Sequence, residues 1–138
     1  MKQYAIGLDN GGTMTKAALF DLSRTELCVA ARKTPVCSPQ PGYSERDMES
    51  LWQANCACIR EIFERSAISP EDVLGIAVCG HGKGLYLWGN DDKPAYQGIG
   101  STDNRAWEIV QQWYEDGGYT RRSVSRSCPV SKRRCCGG

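Results

Sequence analysis

The stretch Tyr4-Ala-Ile-Gly-Leu-Asp-Asn-Gly-Gly-Thr-Met-Thr-Lys-Ala-Ala-Leu-Phe-Asp21 carries two apolar runs, Tyr4–Asp9 and Thr15–Asp21, separated by Asn10-Gly11-Gly12-Thr13. Asn and Gly tolerate the backbone angles of a tight hairpin turn, so the stretch reads as a buried strand, a turn and a second strand. Working outward, Glu26–Lys33 predicts a third strand and completes an antiparallel meander, and Pro35, Pro39, Pro41 and Gly42 take the chain off the sheet as a loop. From Asp47 to about Arg65, the residues Met48, Leu51, Trp52, Asn55, Ile59, Ile62 and Phe63 recur at helical spacing. That stripe predicts a covering helix, with Ser44 as its cap. Val73–Cys79 then reads as a buried strand, Leu85–Trp88 as its antiparallel neighbour, and Gly89–Pro94 as a surface turn. Ala106, Trp107, Ile109, Val110, Trp113 and Tyr114 mark a second amphipathic helix that Gly117 and Gly118 stop. The expected order is βββαββα, an α/β domain around a mixed sheet.

At 138 residues, with 41% hydrophobic and 24% charged side chains, the chain has the bulk of one globular domain and not of a bilobed enzyme. Residues 118–138 hold six of the 17 Lys and Arg and no acid, so residues 1–117 carry a net charge of −5 behind the overall +1. That last segment has few apolar residues and no period, which predicts a disordered basic tail containing three of the eight Cys. It lacks interleaved aromatics and a folded basic motif, so no specific nucleic-acid partner is expected. The longest uncharged stretch, Thr34–Ser44, is too short and too rich in Pro and Ser to span a membrane, and the N-terminus lacks the apolar run of a secretory signal. The expectations are a cytoplasmic chain, no membrane partner and reduced thiols. Cys56 and Cys58 on a helix point about 200° apart, which disfavours a shared metal.

The strongest chemical signal is Asp9-Asn10-Gly11-Gly12-Thr13 with Thr15 and Lys16. Glycines admit an anion close to backbone N–H groups, Thr13 and Thr15 can donate to phosphate oxygens, Lys16 adds positive charge and Asp9 can hold a divalent cation through water. The same spacing also fits an ordinary Asn-Gly hairpin with a solvated lysine. It is not the GxxxxGK[ST] phosphate loop.

Leu8-Asp9-Asn10-Gly11-Gly12-Thr13 beside Lys16 resembles the first phosphate motif of the FGGY carbohydrate kinases, within the actin-like ATPase superfamily. Three further segments agree in order. Pro39-Gln-Pro-Gly-Tyr-Ser-Glu-Arg-Asp47 resembles the family's substrate-side loop, with Tyr43 where Trp is usual; Gly75–Gly84 resembles its sugar-contacting strand and turn; Ser101-Thr-Asp-Asn-Arg105 resembles its D-x-R turn. The Gly11-Gly12 pair, the Gly82-Lys83-Gly84 turn and the Thr102–Arg105 turn look most like the L-xylulose kinase group. The resemblance covers residues 3 to about 117.

The resemblance implies a ribonuclease H or actin-like domain, present only in part, and ATP-dependent phosphorylation of a ketopentose such as L-xylulose. It implies Asp9 on magnesium, Gly11, Gly12, Thr13, Thr15 and Lys16 at the ATP phosphates, and His81, Lys83, Asp103 and Arg105 at the sugar. His81 stands where many relatives have Gln. The family's general base and second lobe have no counterpart here, so no catalytic residue is assigned. The expectation is an inactive fragment with an out-of-frame tail, or else a non-catalytic module that complements a separate chain or dimerises. Structural roles compete at each sugar-side position. His81 can be a satisfied scaffold residue, and Asp103 and Arg105 can cap the helix that follows. Trp52, Trp107 and Trp113 are expected in the core, and Trp88 either there or on an exposed face.

Overall fold

A computed structural model describes residues 3–117; the tail expected over 118–138 lies outside the described residues. The chain divides into two compact units, the first ending at Asn104 and the second beginning at Arg105. The first unit is built on β1 (Tyr4–Asn10), β2 (Met14–Asp21), β3 (Glu26–Lys33), a two-residue β4 (Glu45–Arg46), α1 (Met48–Ser66), β5 (Val73–Gly80) and a two-residue β6 (Gly98–Ile99). In the second, α2 spans Trp107–Glu115.

The main sheet has the order β3-β2-β1-β5. β1 and β2 pair antiparallel with Asp9 opposite Lys16 and Asn10 opposite Thr15, and β2 pairs antiparallel with β3. β5 joins β1 in parallel after the α1 crossover, which makes the sheet mixed as expected. Strand alternation decides what is buried. Ile6 and Leu8 of β1, Ala17 and Leu19 of β2 and Ala30 of β3 form one face, and Cys58 and Ile62 of α1 close over it. α1 lies over β2 and β3. β5 is thus left at the sheet edge with Leu74, Ile76 and Val78 about half exposed or more.

Five expectations are corrected. β5, expected as a buried strand, is exposed from Leu74 to Gly80, because α1 lies over β2 and β3 instead. Leu85–Trp88 does not pair with β5: Leu85 bridges to Ile99 and Trp88 to Pro94, so the segment forms an irregular arm that returns on later residues. Among the described residues β5 pairs in the sheet with β1, in parallel. The cap of α1 is Asp47, whose carboxylate accepts from the Ser50 N–H at 2.6 Å, whereas Ser44 is buried and accepts from the Gly100 N–H through its carbonyl. Trp52 is 62% exposed, because the buried stripe of α1 runs through Leu51, Asn55, Cys58 and Ile62 and leaves position 52 at its margin. In α2, Trp107 is likewise exposed, and no residue of that helix is fully buried.

The cap supports a first prediction. The Ser50 hydroxyl and N–H hold the Asp47 carboxyl below its ordinary range. Asp47→Ala is expected to cost about 1 kcal/mol at neutral pH. A depressed carboxyl contributes stability above its unfolded pKa, about 4, and loses it as pH falls through the lower folded value. The difference in urea midpoint between wild type and variant should therefore be full at pH 7 and shrink below pH 3. An unchanged difference at pH 2 would remove Asp47 from this role.

Candidate functional site

The hairpin between β1 and β2 is where the chain's glycines and charges meet. Asp9 and Lys16 are cross-strand partners on the sheet face away from α1, both exposed. They line a shallow groove of about 390 Å³ with Gly7, Ala18, Phe20 and Ala77. Small side chains at 7, 18 and 77 are what leave that face open.

The turn itself lines a different hollow. Gly12 and Thr13 border a cleft of about 330 Å³ with Ser44, Arg46, His81 and Thr102. Gly11 and Gly12 have different duties there. A Cβ on Gly11 would sit 2.8 Å from the Met14 carbonyl oxygen, so only glycine lets the turn close. A Cβ on Gly12 would meet nothing within 4 Å, so that position faces open space.

Thr15 is corrected from phosphate ligand to scaffold. It is fully buried, and its hydroxyl is shared between the Asp9 carbonyl at 3.2 Å and the Asn55 side chain of α1. This bond ties the base of the hairpin to the covering helix, and a hydroxyl so placed has no path to a ligand.

His81 lines the cleft, but both ring nitrogens are engaged. Nδ1 faces the Asn10 carbonyl at 3.4 Å, and Nε2 lies 2.7 Å from the Tyr86 hydroxyl. Arg46 Nη1 lies 3.5 Å from the same Nδ1, so the ring is set between the Asn10 carbonyl and Arg46 on one side and Tyr86 on the other. With the His81 N–H also donating to the Asn10 carbonyl at 3.2 Å, the residue fastens the end of β5 to the end of β1.

Lys83 is exposed at the tip of the Gly82–Gly84 turn, in left-handed backbone conformation with φ 64°. A non-glycine residue there is uncommon and marks a position held by its surroundings. Asp103 accepts from the Ser44 N–H at 2.7 Å. The N-cap position of α2 is Ala106, which makes no side-chain cap bond. Arg105 opens the second unit and is described with it.

The residue that the motifs did not disclose is Arg46. It is 2% exposed, and Nη2 donates to the Gly11 carbonyl at 2.9 Å, to the Gly12 carbonyl and to the Thr34 hydroxyl at 3.0 Å. Its signal in the sequence is a charged pair, Glu45-Arg46, inside a Pro- and Gly-rich loop, which says nothing about which side chain turns inward. Glu45 is buried as well, and accepts from the Tyr96 hydroxyl at 2.9 Å.

Sequence comparison places this hairpin and loop in a known setting, since the N-terminal domain of the FGGY carbohydrate kinases matches residues 4–130. The chain belongs to the FGGY family of carbohydrate kinases. The match runs on past residue 117, the expected end of the resemblance. Among FGGY relatives, the L-xylulose/3-keto-L-gulonate kinase of Escherichia coli strain K12 is 44% identical over 142 aligned positions, covering 97% of this chain and 28% of that protein. A probable L-xylulose kinase of Pasteurella multocida is 41% identical, covering 93% and 28%. The ligand-bound xylulose kinase from Lactobacillus acidophilus superposes with a TM-score of 0.77 at 26% identity, over 83% of this chain and 23% of that one. The chain thus spans about a quarter of the length of the relatives it matches. The fold shared with these FGGY kinases is the actin-like α/β fold, of which the described residues carry the β1–β3, α1 and β5 part.

Proposed function

We propose that this chain supplies the phosphate-binding hairpin and part of the sugar-side wall of an ATP-dependent kinase that phosphorylates a ketopentose, L-xylulose or a near relative. The observation that carries the reading is the open Gly12 position, which borders the cleft with Thr13, Arg46 and His81 in the hairpin whose strands carry the exposed Asp9–Lys16 pair. The names of the relatives at 41–44% identity support the sugar class.

A phosphate chain fits the residues present: glycine backbone open to approach, an exposed lysine and an exposed carboxylate on one sheet face. Asp9 would hold magnesium through water and Lys16 would neutralise phosphate charge. Magnesium supplies charge neutralisation on the phosphate oxygens when bound. Gly12 and Thr13 receive the terminal phosphate through their N–H groups, and Gly11 keeps the turn closed. On the sugar side, Lys83 and Asp103 offer donors and acceptors to hydroxyls, while His81 contributes by fixing the strand ends. No general base is assigned among these residues; on this reading they contribute ligand-binding positions to the kinase, which acts in the cytoplasm.

The exposed Leu74, Ile76 and Val78 on edge strand β5 favour one second reading, in which the chain is a binding module completed by a separate chain or a second copy. Titration of the full chain, followed by backbone amide NMR and calorimetry, tests the first reading. Magnesium ATP is expected to bind at about millimolar Kd, near 4 kcal/mol, because an open cleft leaves each phosphate contact screened by water. Asp9→Ala should remove the magnesium dependence. Micromolar affinity, or pentose-dependent release of ADP by the chain alone, would show a complete site and replace this reading with an assembled one.

A further inference from the structure

Three consecutive carbonyls of the hairpin turn are held from the protein side. Arg46 binds those of Gly11 and Gly12, and the Thr34 N–H donates to that of Thr13 at 2.9 Å. Thr34 also accepts from Arg46 through its hydroxyl, so the two residues act as one bracket. The structure contains no cis peptide bond among the described residues. In a trans peptide the C=O and the following N–H point in opposite directions. Fixing the Gly11 and Gly12 carbonyls on Arg46 therefore turns the N–H groups of Gly12 and Thr13 away from it. Neither N–H donates to any acceptor among the described residues, and both residues are exposed.

Arg46 is an unusual choice for a mere brace. Its partners are two carbonyls and a hydroxyl, with His81 Nδ1 at 3.5 Å; no carboxylate pairs with it among the described residues, and its buried Nε has no acceptor. A buried guanidinium balanced only by dipoles is costly to keep. An anion arriving at the turn offsets part of that cost. Successive outward N–H groups with a positive charge behind them form an anion seat.

We propose that Arg46 is a positioning residue of the phosphate hairpin. By capturing the Gly11 and Gly12 carbonyls it presents the Gly12 and Thr13 N–H groups as a two-donor seat for a phosphoryl oxygen, and it supplies the positive potential beneath that seat. The assignment rests on the kinase reading for the identity of the anion, and on the hydrogen bonds for the role of Arg46.

The test is amide NMR of the full chain with inorganic pyrophosphate as the probe. In the free wild type, the Gly12 and Thr13 amides should exchange with solvent freely, while the paired Asn10 and Thr15 amides stay protected; protection at Gly12 and Thr13 overturns the proposal without any variant. Pyrophosphate should shift both amides along one binding curve. Arg46→Met should weaken that binding about tenfold or more, with Arg46→Lys recovering part of it and the Leu19 and Ala30 signals unmoved in each. If Arg46→Met does not fold, Thr34→Val serves in its place, removing the hydroxyl that ties Arg46 to Thr34 while keeping the Thr34 N–H on the Thr13 carbonyl, with an expected loss of about threefold. Unchanged affinity in a folded Arg46→Met or Thr34→Val overturns the positioning role and leaves the kinase reading standing. No response of the turn amides to either pyrophosphate or magnesium ATP in the wild type overturns both.

Discussion

Leu19→Ala is expected to lower the unfolding free energy by about 3 kcal/mol, within the range for deleting a fully buried leucine. Leu19 sits at the centre of β2 with no exposed surface, opposite Ile6 of β1 and Cys28 of β3, in the cluster that Cys58 and Ile62 cover. Its neighbours belong to three paired strands and a helix, so they cannot collapse inward without breaking register, and a cavity remains. The cluster is small, and a domain of this size is stable by only about 5–15 kcal/mol. The loss is thus a large fraction of the total and should appear as a clear drop in the urea midpoint with an unchanged slope. Leu74→Ala on β5 is the matched control. Leu74 is about half exposed and lies outside the cover of α1, so its truncation should cost well under 1 kcal/mol. Equal losses from the two substitutions would mean that the core does not sit between α1 and β2.

The contrast between those two leucines shows what a residue pattern conveys and what it leaves out. Val73–Cys79 and Thr15–Asp21 are both apolar runs, and both are strands. An apolar run specifies extended backbone and a wish for burial, but not a neighbour. The Glu26–Lys33 strand is found with the bounds its residues predict, because turns at either end confine it. Leu85–Trp88 has the same local character, yet its bridges go to Ile99 and Pro94. Pairing with β5 by way of a short turn looks the simplest solution from the sequence alone, and only the three-dimensional path of the chain excludes it.

The helix cap illustrates a similar limit. Ser44 and Asp47 are both good cap residues, and the choice depends on where the two-residue strand β4 ends, which two charged residues in a loop do not announce. In the candidate site, Asp9, Gly11, Gly12 and Lys16 stand out in the sequence because each carries its chemistry in its residue type. Thr15 looks identical in kind to Thr13, and differs in that strand alternation points it at Asn55 of α1. Arg46 was hidden for the opposite reason. Its importance comes from long-range bonds to residues 11, 12 and 34, which no local pattern encodes.

Gly11→Ala and Gly12→Ala should separate the fold of the hairpin from its ligand role. At Gly11 the added methyl would lie 2.8 Å from the Met14 carbonyl oxygen, a backbone atom that can yield only if the turn opens. The expected cost is about 2 kcal/mol, the scale of overpacking in a closed structure. Opening the turn also moves the Gly11 carbonyl off Arg46, so phosphate binding should fall with stability. At Gly12 there is open space, and its φ lies outside the left-handed range, so alanine should leave the urea midpoint within about 0.5 kcal/mol of wild type. The methyl then stands beside the N–H groups of Gly12 and Thr13, where a phosphoryl oxygen must come close. Pyrophosphate affinity should drop about tenfold at unchanged stability. A Gly12→Ala variant that binds pyrophosphate like the wild type would show that the anion does not approach the turn from its open side. The exposed Asp9–Lys16 face would then be the better place to seek it, since the two hollows lie on different linings of the same hairpin.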